Sequence, residues 1–250
     1  MKKQKMSISQ LVLILLLSCA APYAWADWSV DLESGLAFNG YNDVRIPGDI
    51  GTDLSLSEEL EADATAFVRI RLSKNLGDRQ QLSLLVAPLR FRSSGSVDRD
   101  IDFNGVRFPA DTPLESRYRF DSYRLTYHYT LLEGEKLRAG LGLTAKIRDA
   151  SIQIEGGGDH AEKTNTGFVP LVNFAVDWRF GSSLGLIFEG DALAAPQGRA
   201  EDVLLAFYGH PADKFRLRVG YRILEGGADN DEVYTFALVH YISAGIMWSF

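Results

Sequence analysis

From Trp28 to the last residue, the chain alternates apolar and polar side chains in runs of roughly ten. The clearest run sets Leu137, Ala139, Leu141, Leu143, Ala145 and Ile147 against Arg138, Gly140, Gly142, Thr144, Lys146 and Arg148. A period of two over this length predicts a strand with one apolar face. The same pattern predicts strands over 28–39, 63–74, 118–131, 168–180, 184–191 and 215–223. The stretch 81–92 is apolar on both phases and holds Pro88, so a bulge or irregular edge is expected there. A weaker run surrounds Val203, Leu205 and Phe207. The chain closes on a tenth run, in which Tyr234, Phe236, Leu238, His240, Ile242, Ala244, Ile246, Trp248 and Phe250 share one phase.

The connections alternate in length. Short ones join strands at 75–80, 132–135, 181–183 and 211–214, and mostly longer ones span 40–62, 93–117, 151–167, 195–201 and 225–231. An even number of amphipathic strands with alternating short turns and long loops predicts an all-β, antiparallel up-and-down transmembrane β-barrel. It has ten strands, with eight or twelve as alternatives because the third and eighth are weak. The short turns and both termini would be periplasmic. Aromatics near both strand ends, among them Trp28, Tyr129, Trp178, Phe215 and Trp248 at one and Phe38, Phe168 and Tyr221 at the other, fit two interfacial girdles. The competing reading is a soluble barrel or sandwich. It would have to bury the apolar phase in a larger core than a small barrel offers, because the other phase carries many charges.

The N-terminus has a positive segment (Lys2, Lys3, Lys5), an apolar run from Leu11 to Leu17 too short to span a membrane as a helix, and Ala24-Trp25-Ala26. This predicts a cleaved secretory signal over 1–26 and a single domain over 27–250. The alternative, a lipobox ending at Cys19, competes with it. Cleavage after Ala26 removes the only cysteine and three lysines but no acid, so the mature chain is more acidic than the formal charge of −7. It then has no thiol or disulfide chemistry and no electrostatic footprint for nucleic acid.

In its last strand, the chain resembles small bacterial outer-membrane β-barrel proteins as a class. Tyr234, Phe236, Ile242, Ile246, Trp248 and Phe250 form the terminal aromatic and aliphatic row. The resemblance implies residence in the outer membrane of a Gram-negative bacterium, among its lipids and lipopolysaccharide. It also implies recognition of that row by the barrel assembly machinery.

The inward phase carries the candidate chemistry. Arg69, Arg71, Arg124, Arg138, Lys146, Arg148, Arg179, Arg216, Arg218 and Arg222 face Asp31, Glu33, Asp177, Glu189 and Asp191. Two readings follow. The charges cross-pair and plug a narrow barrel, or their basic excess lines a narrow, anion-preferring passive channel. Gly140, Gly142 and Gly220 on this phase leave room for water in the second reading. The loop over 40–62 holds Asp43, Asp49, Asp53, Glu58, Glu59 and Glu61 against one arginine, which reads as a solvated acidic loop. A barrel enzyme acting on lipid A or peptides is the third reading. His128, His160, His210 and His240 fall at different heights and form no catalytic set, so no enzyme, no cofactor and no metal site is expected.

Overall fold

A computed structural model describes residues 28–195 and 198–250. The signal-peptide reading of 1–26 lies outside the described residues. Regular structure among these is all β. The strands are β1 (Trp28–Arg45), β2 (Leu54–Ser55), β3 (Glu61–Ala62), β4 (Thr65–Asn75), β5 (Gln80–Ala87), β6 (Arg90–Gly95), β7 (Ile101–Phe103), β8 (Val106–Phe108), β9 (Leu114–Glu133), β10 (Leu137–Gly156), β11 (Asp159–Arg179), β12 (Leu184–Ala195), β13 (Gly198–Ala212), β14 (Phe215–Asp229) and β15 (Tyr234–Ser249).

Strands β1, β4, β5, β9, β10, β11, β12, β13, β14 and β15 form one closed antiparallel ring in that order, with β15 returning to β1. Ten positions in the wall match the sequence pattern. Closure leaves no free strand edge around the belt, and Phe250 and Trp28 exchange backbone hydrogen bonds at 2.9 and 3.1 Å to seal the last pair. Beyond Pro88 the third wall strand resumes as β6, which takes the place of β5 beside β9. Proline has no N–H to give the ladder, so the strand breaks where the sequence marks it.

Outward, the expected apolar phase is exposed around the ring. Leu36, Ile70, Leu143, Phe168, Phe207, Val219 and Ile242 are among the exposed side chains, with Leu143 at 70% and Phe168 at 67%. Exposed apolar surface on this scale is the signature of a wall that faces hydrocarbon.

Two expectations need correction. The connections over 151–167, 195–201 and 225–231 are not long loops. β10 and β11 continue as a paired hairpin to Gly156 and Asp159, β12 and β13 pair up to Ala195 and Gly198, and β14 and β15 pair up to Asp229 and Tyr234. Above the belt neither face meets lipid, so the alternation that reveals a strand fades while the backbone ladder continues. Of the lumen glycines, Gly140 lines the open cavity described below, whereas Gly142 and Gly220 serve close backbone packing instead. A Cβ on Gly142 would stand 2.2 Å from the Tyr127 carbonyl oxygen, and one on Gly220 2.5 Å from the Leu205 carbonyl oxygen. These residues permit close approach of neighbouring backbones.

The two true loops, over 46–64 and 96–113, fold over the mouth at the end away from the termini. Ile46, Leu54, Leu56 and Leu60 from the first pack with Ile101, Phe103, Phe108 and Leu114, each no more than 2% exposed. Val44 pairs with Leu54, Thr52 N–H donates to the Asp102 carbonyl at 2.9 Å, and Asn104 N–H donates to the Ile46 carbonyl at 2.7 Å. The acidic first loop is thus one half of an apolar cap. Two of its acids find arginines: Arg45 lies 3.2 Å from Asp53 and Arg99 2.7 Å from Glu59.

Candidate functional site

The lumen has three layers. At the end carrying both termini and the short turns, a cavity of about 810 Å³ is lined by Asp31, Arg71, His128, Asn173, Asp177 and Arg216 among others. A layer of ion pairs closes it at mid-height, and the apolar cap lies beyond.

The middle layer is built around two carboxylates. Glu33 on β1 accepts from Arg222 Nε and Nη2, both at 2.8 Å, and from Arg218 Nη2 at 3.0 Å. Asp202 on β13 accepts from Arg69 Nη2 at 2.9 Å and also from Arg124 and Arg222. Asp191 on β12 accepts from Arg124 Nη1 at 2.7 Å, Thr144 Oγ1 at 2.7 Å and Asn173 Nδ2 at 2.9 Å. Nearer the cavity, Arg218 donates to Asp31 at 2.6 Å and Arg71 to Glu189 at 3.1 Å. Eight wall strands are tied across the lumen in this way. Glu33, Arg69, Arg124, Asp191, Asp202, Arg218 and Arg222 are all buried. Charges this deep persist only when paired and hydrogen-bonded.

Several inward residues of the sequence pattern lie elsewhere. Lys146 is buried above the layer with its Nζ over the Phe120 ring at 4.8 Å. Arg148 sits higher, donating to Asn165. Arg216 pairs with Asp177 at 3.2 Å in the cavity wall, and Tyr208 donates to the same carboxylate. Arg138, 3.4 Å from Glu133, belongs to the cavity rim, and Arg179 is exposed at the last residue of β11. The terminal row faces outward, with Ile242, Ile246 and Trp248 exposed, Tyr234 and Phe236 in ring contact, and Phe250 beside Trp248.

Asp202 is the residue that the periodicity missed. Its strand was legible only as a short run around Val203, Leu205 and Phe207, while the opposite phase, Asp202, Leu204, Ala206 and Tyr208, faces in. With Asp202 included, Asp31, Glu33, Glu189, Asp191 and Asp202 balance Arg69, Arg71, Arg124, Arg218 and Arg222 in the core. The twofold basic excess read from the sequence is therefore overstated there.

Above the ion pairs, Phe67 and Tyr241 meet edge to face at 4.8 Å, with Leu89 and Leu224 beside them. Between Arg69 and Arg124 and these apolar side chains lies a gap of about 10 Å³, room for roughly one water molecule. His128 Nδ1 lies 2.7 Å from Asn173 Oδ1 in the cavity, His160 lies on the β10–β11 hairpin 3.6 Å from Glu155, His210 meets Tyr208 edge to face, and His240 faces outward against Tyr221.

A closed ten-stranded sheet with an apolar outer belt, short turns at one end and extended arms at the other defines a small bacterial outer-membrane β-barrel. No protein-family model and no curated protein matches the sequence. Among solved structures, the chain is similar to the outer membrane protease OmpT of Escherichia coli at 11% identity, with 93% of this chain and 99% of that one covered and a TM-score of 0.59. The transport unit of the autotransporter AIDA-I of Escherichia coli matches at 7% identity over 97% of each chain, with a TM-score of 0.46. The attachment invasion locus protein Ail of Yersinia pestis matches at 10% identity over 89% and 99%, with a TM-score of 0.39. At these identities the likeness is one of fold.

Proposed function

We propose that the protein is a plugged surface barrel of the Gram-negative outer membrane, neither a conducting channel nor an enzyme. The termini and the 810 Å³ cavity face the periplasm and the cap faces outward. The observation that carries this reading is the pair of barriers in series: a cross-strand ion-pair layer around Glu33 and Asp202, and an apolar cap whose core side chains are buried. Small barrels fill their interiors with side chains, and here the fill is charge-matched. A catalytic role would need an unengaged nucleophile or base. The central carboxylates are instead occupied by guanidinium groups.

Planar-bilayer recording of the refolded protein tests the reading, with silence across voltages expected. Steady unitary currents with anion preference would support the passive channel instead. Orientation is tested by single cysteines in a chain whose only native cysteine is Cys19. Cysteines at Asp53, Asp111 and His160 should react with an impermeant reagent on intact cells, whereas those at Gly134 and Asp213 should not.

A further inference from the structure

On the outer wall above the apolar belt, β6 and β9 place arginines directly opposite arginines: Arg90 faces Arg119 and Arg92 faces Arg117. Directly opposed like charges destabilise a strand pair unless something neutralises them. The lower pair is neutralised within the protein. Arg90 is bidentate on Asp121, and Arg119 donates to both oxygens of Asp149 at 2.7 and 3.0 Å. The upper pair is not. Arg92 and Arg117 are both exposed, and neither guanidinium has an ion-pair partner among the described residues. Glu115, the next outward residue on β9, makes no ion pair with Arg117.

Below the arginines the same wall is apolar. Val86, Tyr123 and Ile147 stand side by side in the three adjacent strands β5, β9 and β10, followed towards the turn end by Leu84, Leu125 and Ala145. An acyl chain lying along this strip ends its polar group at the height of Asp121 and the arginines. Two planar, permanently charged donor forks on one pleat match the oxygens of a phosphate monoester.

We propose that Arg92 and Arg117 bind the phosphate of an outer-leaflet glycolipid whose acyl chains run down the β5–β9–β10 wall. The assignment rests on the membrane placement proposed above. It adds a defined lipid site to a barrel otherwise read only as embedded.

The test uses the refolded full-length barrel in zwitterionic detergent and native mass spectrometry with bisphosphorylated lipid A, dephosphorylated lipid A and inorganic phosphate as probes. The double variant Arg92→Gln/Arg117→Gln should weaken lipid A binding by about tenfold or more, the scale of one or two lost charge-assisted hydrogen bonds. The rim variant Arg138→Gln/Arg179→Gln, which removes the same charge at the other end, should leave it unchanged. Dephosphorylated lipid A should bind the native barrel no better than lipid A binds the double variant. Equal loss in the rim variant, undiminished binding in the double variant, or displacement of lipid A by equimolar inorganic phosphate would each overturn the site. Heat-modifiable migration, followed in parallel, separates this outcome from failure of the membrane-barrel reading: a protein that migrates as a folded barrel yet ignores the phosphate sinks only the lipid site.

Discussion

Asp202 gathers guanidinium groups from three strands, β4, β9 and β14, so removing its charge leaves three buried cations short of a partner. Asp202→Asn should lower barrel stability by about 3–5 kcal/mol, the scale of breaking a buried ion pair from one side. Urea titration followed by heat-modifiable migration measures it. Arg138→Gln, at a half-exposed rim pair, should cost less than about 1 kcal/mol on the same assay. Similar losses for both would mean that the buried layer is hydrated rather than closed. Individual residues were legible where one phase was polar, as for Arg69, Arg124, Arg218 and Arg222. Asp202 was hidden because its phase continues as Leu204 and Ala206, leaving β13 without a polar side to read.

At the level of elements, depth along a strand decides the cost of a charge. Leu143→Arg, outward and in the middle of the belt, should destabilise by about 2–4 kcal/mol. Thr164→Arg, outward on β11 but above the belt, should cost about 0–1 kcal/mol. Equal penalties in refolding titrations would misplace the upper edge of the belt. Strand number and closure were legible because lipid enforces alternation. The arms above the lipid were not, although two turn signals lay in plain sight. Asn104-Gly105, with φ of 47° and 84°, turns β7 into β8, and Gly157-Gly158, with φ of 61° and 93°, turns β10 into β11. Both doublets occupy positions where positive φ is required, and Asn-Gly between apolar runs is a strong hairpin signal. The cap has its own pH signature. The hydrogen bond from Arg99, helped by the Ser55 N–H, holds the Glu59 carboxyl below its ordinary range despite partial burial. A lowered carboxylate contributes stability above the ordinary carboxylate pKa, near 4.3, and loses it as pH falls through the folded value. Hydrogen exchange in the cap should therefore quicken only under acid below that range, and Glu59→Gln should flatten the dependence. Exchange that is equally pH-sensitive in the variant would assign the effect to another group.

For the whole molecule, taken as the plugged barrel proposed above, the two barriers are mechanically distinct. The plug is held by side chains of the barrel wall, whereas the cap is held by loop side chains and by backbone hydrogen bonds such as Leu56 N–H to Asn42 O at 2.7 Å. Resistances in series mean that opening either one leaves the other closed. Phe103→Ala with Phe108→Ala removes two side chains with 0% exposure from the cap and should loosen it, since each such truncation costs about 3–5 kcal/mol of local packing. Glu33→Gln with Asp202→Asn removes both acids that gather the arginines and should draw water from the cavity into the layer. Neither double variant alone should give more than occasional current in planar bilayers. The quadruple variant, if heat-modifiable migration shows it still folded, should conduct with clear anion preference, because the freed arginines then line a continuous water path. That preference should fade at high salt, where charges are screened within about 3 Å at 1 M. Full conduction from the cap variant alone would show that the ion-pair layer is not a barrier. A folded quadruple variant that stays silent would place the obstruction elsewhere in the lumen.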